Sequence, residues 1–249
     1  MAAKRQIIAI GGAGFSAEPY DPLLDEYIIR QADALKPKIC FLGTASGDSE
    51  AYIHKFYLAY GKLECSPTHI SLFRPPSADL RDLIMQQQIV YVGGGNTKSL
   101  LALWREWSID THLREAYRTG VILCGVSAGS ICWFEDGLTD SIPGVLTPLR
   151  CLGLLRGSNC PHYDSEPGRR PTYRSLVQTG QLSYGLAADD GVALHYVDEA
   201  LSEVVTARPG AKAYRLSIAC GQVSETQLRP ALLSPSSIVD SGRPASPSS

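Results

Sequence analysis

The sequence predicts an α/β fold: a mostly parallel sheet flanked by helices on both faces, with antiparallel strands in the C-terminal part. Three observations predict it. Short apolar β-rich runs alternate with helical stretches through the first half. Glycine-rich turns follow the first, fourth and fifth of these runs. Past Leu138 the spacing changes to short strands separated by tight turns. Alternation of this kind marks βαβ units, whose crossovers place helices on both sides of a parallel sheet.

The elements follow in order. Residues 5–10 form a strand candidate ending in Gly11-Gly12-Ala13-Gly14. Over 22–34, Leu23, Leu24, Tyr27 and Ile28 recur at helical spacing behind Asp21, a residue type that caps helix N-termini. Residues 38–42 read as the second strand, 49–60 as the second helix, 68–72 as the third strand and 79–87 as a helix. The fourth strand, 89–92, ends in Gly93-Gly94-Gly95-Asn96, and two helices over 97–107 and 110–118 separate near Ser108. The fifth strand, 121–126, leads into Gly125-Val126-Ser127-Ala128-Gly129 and the helix-compatible stretch 130–134. Further on, strands at 153–159 and 183–188 bracket a short helix over 171–178. Residues 192–196, 202–206 and 213–216 read as antiparallel strands with turns at Asp198-Glu199 and Pro209-Gly210. No repeat or linker divides residues 1–233, which read as one domain, and the Ser/Pro-rich stretch 234–249 is expected to be disordered.

Bulk properties narrow the function classes. The 249 residues are enough to bury a large core, and a formal net charge of −2 leaves no basic stripe for phosphates, which excludes a nucleic-acid partner. No apolar run approaches the roughly 20 residues that span a bilayer. The start, residues 1–6, lacks the apolar core of a signal peptide, so a soluble cytoplasmic protein is expected. Cys40, Cys65, Cys124, Cys132, Cys151, Cys160 and Cys220 are odd in number and form no C-x-x-C pair; free thiols are expected, without a zinc site or disulfide framework.

Chemistry centres on the G-x-S-x-G turn. Between a buried strand and a helix, such a turn holds the serine at a tight corner with its hydroxyl exposed, and glycines flank it because side chains have no room. The helix N-terminus behind it aims unpaired N–H groups at an oxyanion formed on that serine's substrate. In a parallel sheet, ligands gather outside the carboxyl ends of the strands, so the three glycine-rich turns share one edge.

A serine needs a base. His54 and His112 fall in helical stretches, while His69 and His195 fall in strand candidates; these suit packing or surface roles. His162 instead follows Asn159-Cys160-Pro161 at a strand end and opens a polar loop, which makes it the expected base. For an acid that orients the imidazole, Glu135, Asp136, Asp140, Asp164, Asp189 and Asp190 are available, with Asp164 too close to His162 in sequence to align with its ring. The order serine, histidine, acid argues against an α/β-hydrolase esterase, where the acid precedes the histidine. Gly11-Gly12-Ala13-Gly14 has the wrong spacing for a dinucleotide fingerprint.

The segments 8–14, Gly93-Gly94-Gly95-Asn96-Thr97, Gly125-Val126-Ser127-Ala128-Gly129-Ser130 and Pro161-His162 resemble, in their order, the peptidase E family and its cyanophycinase relatives. The resemblance covers about residues 5–220 and implies a flavodoxin-like sandwich related to class I glutamine amidotransferases, with serine replacing cysteine at the turn. It implies a serine peptidase of dipeptides or short peptides, without cofactor or metal, acting as a monomer or homodimer. Carried over by motif, Ser127 is the nucleophile and His162 the base, while N–H groups of Ala128 and of Gly94 or Gly95 form the oxyanion hole. Asp190 matches the third member, with Asp189, Asp140 and Glu135 as alternatives. Family members that remove an N-terminal aspartate use arginine, and Arg169, Arg170 and Arg174 are the candidates here. Two other outcomes stay open: a hydrolase of another amide or isopeptide, and a non-catalytic amidotransferase-like binding protein.

Overall fold

The computed structural model describes residues 4–235; the expected disordered tail lies, from residue 236 onward, outside the described residues. Two sheets carry the fold. The first has eight strands, in the order β14 (Ala231–Leu232), β11 (Ala200–Thr206), β10 (Val192–Val197), β1 (Gln6–Ile10), β5 (Ile122–Val126), β4 (Ile89–Val92), β2 (Lys38–Leu42) and β3 (Ser66–Ile70). Its parallel part is β1 (Gln6–Ile10), β2 (Lys38–Leu42), β3 (Ser66–Ile70), β4 (Ile89–Val92) and β5 (Ile122–Val126). The helices that connect or follow these strands are α1 (Leu23–Arg30), α2 (Glu50–Tyr60), α3 (Leu80–Met85), α4 (Thr97–Glu106), α5 (Ile109–Arg118) and the single turn α6 (Ala128–Ile131).

A hairpin of β6 (Phe134–Ile142) and β7 (Val145–Arg150) opens the second sheet, which continues with β8 (Leu155–Cys160), then α7 (Arg169–Gln178) and β9 (Gly185–Ala188). The chain returns to the first sheet with β10 (Val192–Val197) and β11 (Ala200–Thr206), adds β12 (Ala213–Ala219) and β13 (Gln222–Leu228) to the second, and ends in β14 (Ala231–Leu232). The second sheet runs β13-β12-β9-β8-β6-β7, parallel across β6, β8 and β9 and antiparallel elsewhere. The expected class, parallel strands with antiparallel additions toward the C-terminus, is what the structure shows. Among the described residues no helix is long and apolar enough to cross a membrane.

Alternation on β1 decides the layers. Ile8 and Ile10 face a cluster with α1, α2 and Phe15, while Ile7 and Ala9 face a second cluster with α3–α5, Trp133 and the inner side of the second sheet. A third cluster packs Tyr173 and Val177 of α7 on the far side of that sheet. Each β1 residue is buried on both faces, which is why the strand reads as a continuous apolar run.

Some boundaries differ from the sequence expectation for local reasons. Helix α1 stops at Arg30, where the last turn tightens: the Gln31 N–H donates to the Ile28 carbonyl (3.1 Å) and the Ala32 N–H to that of Ile29 (3.2 Å). Asp21 lies one residue outside the observed cap, yet its carboxylate accepts the Leu23 N–H at 3.0 Å. Strand β3 begins two residues early and includes Pro67, tolerated because β3 is an edge strand. The stretch expected to extend a helix after Gly129 instead gives one turn, since Trp133 and Phe134 are fully buried between the sheets and pull the chain into β6. Pro143-Gly144 closes the hairpin, with Gly144 at φ 75°.

Under the first sheet, Asp25 of α1 is fully buried. Its Oδ1 accepts the Tyr60 hydroxyl at 2.7 Å, and Oδ2 has no partner among the described residues. Burial pushes this carboxyl up to about 7, against the opposing influence of the nearby Tyr60 and Tyr20 hydroxyls. In the unfolded chain it titrates near 4. The folded state therefore holds the proton more tightly, so this contribution is full below about pH 4 and is lost as pH rises through about 7. Asp25→Asn keeps an acceptor for Tyr60 and removes the charge. The difference between its unfolding free energy and that of the unsubstituted chain, measured by urea denaturation, is expected to grow from pH 5 to pH 8 and to reach about 2–4 kcal/mol in favour of the variant at pH 8.

Candidate active site

The end of β1 gathers the site. The Ile10 carbonyl accepts the Ser127 N–H (3.2 Å), the Gly11 carbonyl accepts the His162 N–H (3.1 Å), and the Gly12 carbonyl accepts the Gly191 N–H (3.0 Å). Three consecutive carbonyls thus hold the G-x-S-x-G turn, the Pro161-His162 loop and the Asp189-Asp190-Gly191 turn. The first of these leaves β5 in one sheet; the other two leave β8 and β9 in the other.

Ser127 sits at φ 56°, ψ −111°, a conformation costly for a residue with a side chain, on the order of 1–3 kcal/mol. Its surroundings over-determine it. Ser130 and Ile131 donate N–H groups to the Ser127 carbonyl, both at 2.9 Å. A Cβ on Gly125 would lie 2.5 Å from the Gly129 carbonyl oxygen and 2.7 Å from that of Val92, and one on Gly129 would collide with the Val92 carbonyl. These approaches need glycine at both positions. Ser127 is the one partly exposed residue in an otherwise buried run from 121 to 130.

His162, at φ 53° after Pro161, turns its ring toward Asp190, and Nδ1–H donates to Asp190 Oδ1 at 2.7 Å. Burial alone would raise the Asp190 carboxyl. Hydrogen bonds from His162 and Ser165, with the charges of His162 and Arg208, outweigh it and hold the group below its ordinary value. The other carboxylates weighed for this position have different partners. Asp189 Oδ2 accepts the Lys212 N–H (2.9 Å), Glu135 accepts the Gly157 N–H (2.8 Å), Asp136 accepts the Ser183 hydroxyl (3.2 Å), and Asp140 pairs with Arg169 (3.4 Å). His195 is buried between Tyr27 (2.7 Å) and Gln6 (3.1 Å), and burial pushes it down to about 4.

For an oxyanion, the structure offers N–H groups on two sides of Ser127. The Ala128 N–H opens α6 with no acceptor inside the helix, and α6 is one turn long, so local N–H groups rather than a long helix dipole supply the positive end. On the other side, a Cβ on Gly94 would stand 3.8 Å from Ser127 Oγ, which puts this loop beside the hydroxyl. The Gly94 N–H donates to the Tyr52 hydroxyl (3.3 Å), whereas the Gly95 N–H has no hydrogen-bond partner among the described residues.

The three candidate arginines are already paired within the chain. Arg169 is 1% exposed at the start of α7, held by Glu166, Asp140 and the Leu138 carbonyl (3.3 Å). Arg170 pairs with Glu225 and lies 4.9 Å from the Tyr214 ring centre, and Arg174 pairs with Glu225 at 3.2 Å. All three guanidiniums meet carboxylates of the chain itself. Burial pushes the Cys160 thiol up to about 12 and the Cys132 thiol well above its ordinary value, so neither is a ready thiolate. Among the described residues no group of three or more His, Cys, Asp or Glu side chains is placed to hold a metal ion.

Four residues around the site were not assigned roles there from sequence: Gly12, Tyr52, Asp164 and Arg208. Gly12 had a visible signal in its glycine-rich turn, and its role is steric. A Cβ there would collide with Asp190 Oδ1 and stand 2.8 Å from His162 Nδ1.

The model of peptidase family S51 matches residues 7–204. The uncharacterized peptidase YgaJ of Bacillus subtilis (strain 168) is 54% identical over 224 residues, covering 90% of this chain and 97% of that protein. Among solved structures, a peptidase from an acI-B1 Actinobacterium has a TM-score of 0.68 at 18% identity, covering 92% of this chain and 95% of that one. A putative peptidase E protein from Listeria monocytogenes EGD-e has a TM-score of 0.59 at 18% identity, covering 83% and 99%. At these identities the two structures speak for the fold alone.

Gly12→Ala tests the steric role directly. The added methyl is expected to push the Asp190–His162 pair apart and slow fluorophosphonate labelling of Ser127 by roughly 10²-fold, with an unchanged circular dichroism spectrum; labelling at the unsubstituted rate would contradict it.

Proposed function

Since the chain belongs to peptidase family S51, we propose that it is a serine peptidase that cleaves dipeptides or short peptides through an acyl-enzyme on Ser127. The observation that carries this reading is the hydrogen-bonded His162–Asp190 pair, tied to the same stretch of β1 backbone that holds the strained Ser127.

In this mechanism Ser127 Oγ attacks the peptide carbonyl carbon while His162 Nε2 accepts the hydroxyl proton. Asp190 receives the Nδ1–H bond, which fixes the tautomer and stabilises the imidazolium as it forms. The N–H groups of Ala128 and of Gly94 or Gly95 stabilise the oxyanion; each such donor is worth about 3–4 kcal/mol in the transition state. His162 returns the proton to the leaving amine as the C–N bond breaks. Water, deprotonated by the same imidazole, then hydrolyses the ester and restores Ser127.

The substrate reading is narrower than the family resemblance suggests. A preference for N-terminal aspartate requires an arginine to meet its carboxylate, and the three arginines considered for it are engaged by Glu166, Asp140 and Glu225. A dipeptide series that starts with Asp-X and varies the first residue therefore decides specificity.

The catalytic assignment is tested by Ser127→Ala and His162→Ala, each expected to lower turnover by 10³-fold or more, roughly, with folding intact. Fluorophosphonate labelling is expected to vanish in Ser127→Ala. Near-normal turnover in either variant removes that residue from the mechanism, and a folded chain that is never labelled points to a binding protein.

A further inference from the structure

Two charged residues with no part in that mechanism enclose the acid. Asp164, in the same loop as His162, accepts the Asp190 N–H through Oδ1 at 3.0 Å, and its Oδ2 pairs with the Arg208 guanidinium. Arg208, between β11 and β12, also donates from Nε to the Asp190 carbonyl at 2.9 Å. Both peptide groups of Asp190 are therefore held, one by each member of an ion pair. Arg208 is itself braced: its N–H donates to Thr206 Oγ1 (3.1 Å), and that hydroxyl donates to the Gly191 carbonyl (2.8 Å). A Cβ on Gly191 would stand 2.9 Å from Arg208 Cβ, so the acid's turn packs against the arginine stem.

The charges matter as well as the bonds. His162, Arg208 and Asp164 surround Asp190, with Ser165 as a neutral donor. Asp189, the preceding residue, turns its carboxylate to the Lys212 N–H. From the turn after β1, Gly12 packs against the carboxylate and brings no charge. Arg208 and Asp164 cancel one another, and removing either leaves an unbalanced charge beside the His162–Asp190 pair.

We propose that Arg208 and Asp164 form a charge-balanced clamp of positioning residues, which holds Asp190 against His162 and keeps the base from feeling either charge alone. This rests on the reading of Ser127, His162 and Asp190 as the catalytic set. It separates the bonding role, shared by both residues, from the electrostatic role, in which they act with opposite sign.

The opposite signs supply the test. The full-length chain is labelled with a fluorophosphonate probe, in which Ser127 Oγ bonds to phosphorus, fluoride leaves and the imidazole takes the proton. The rate is followed against pH, with thermal unfolding run in parallel. Arg208→Gln leaves Asp164 uncompensated, which favours the protonated imidazole, so the acid limb of the rate profile is expected to move to higher pH. Asp164→Asn keeps an acceptor for the Asp190 N–H but leaves Arg208 uncompensated, so the limb is expected to move lower. Each displacement is on the order of half a pH unit, and the double variant returns toward the original limb. Arg208→Lys, which retains the charge and loses the planar fork, is expected to keep the limb and lower the plateau; with Asp164→Asn it decides the matter if Arg208→Gln fails to fold. Coincident limbs, or displacements of one sign, overturn the clamp while leaving the catalytic reading intact. An unsubstituted chain that takes no label overturns that reading and the clamp with it.

Discussion

The proposed catalytic set depends on the backbone carbonyls of Ile10, Gly11 and Gly12, which hold its three turns. Side chains position catalytic groups through rotatable bonds, whereas a strand end fixes its carbonyls through its own ladder. Here β1 is paired on both sides, with β5 and β10, and buried on both faces. Its end inherits that rigidity and passes it to three separate loops. Gly11 and Gly12 are required because those loops come too close for side chains: a Cβ on Gly11 would collide with the Asp189 carbonyl, and one on Gly12 with the Asp190 carboxylate.

This arrangement explains why the chain needs a second sheet. A parallel sheet delivers the Ser127 turn and the Gly93-Gly94-Gly95 loop to one edge by its own geometry, because β4 and β5 are neighbours. His162 and Asp190 arrive from β8 and β9, which are neighbours in the other sheet. Each sheet thus brings two loops together, and β1 joins the halves. The burial of Trp133, Phe134, Leu155 and Leu186 between the sheets keeps that joint closed.

Legibility from sequence followed the physics of each element. The parallel half could be read because strands buried on both faces appear as unbroken apolar runs and their turns carry glycine. Ser127 and His162 could be singled out because both sit at strand ends in punctuated surroundings. The hairpin of β6 and β7 was missed: β6 alternates buried Phe134 and Leu138 with exposed Glu135 and Asp140 irregularly, and the one plain signal was Pro143-Gly144. The partners of the acid were hidden for a different reason. Asp164 was weighed as a contact for the imidazole, and sequence proximity argues against that role but says nothing about a bond to the backbone of Asp190. Arg208 lies in a turn whose closure onto Asp190 depends on how β11 crosses from one sheet toward the other.

Charge placement separates two kinds of arginine that look alike in sequence. Arg169 is a structural cation: fully buried, it is tolerable only because Glu166, Asp140 and a carbonyl surround it, and removing any of these would strand a charge in the interior. Arg170 and Arg174 share Glu225, which burial would raise but which the hydrogen bonds from Tyr163, Arg170 and Arg174 hold below its ordinary value. The two cations and Glu225 form one paired group beside Tyr163 of the His162 loop, with the Asp189 charge also acting on Arg170. A substrate carboxylate that reached it would compete with Glu225 for both guanidiniums. Recognition of an acidic group there would therefore be an exchange of partners, with a strength set by the difference between two carboxylates and not by the full attraction of an open arginine.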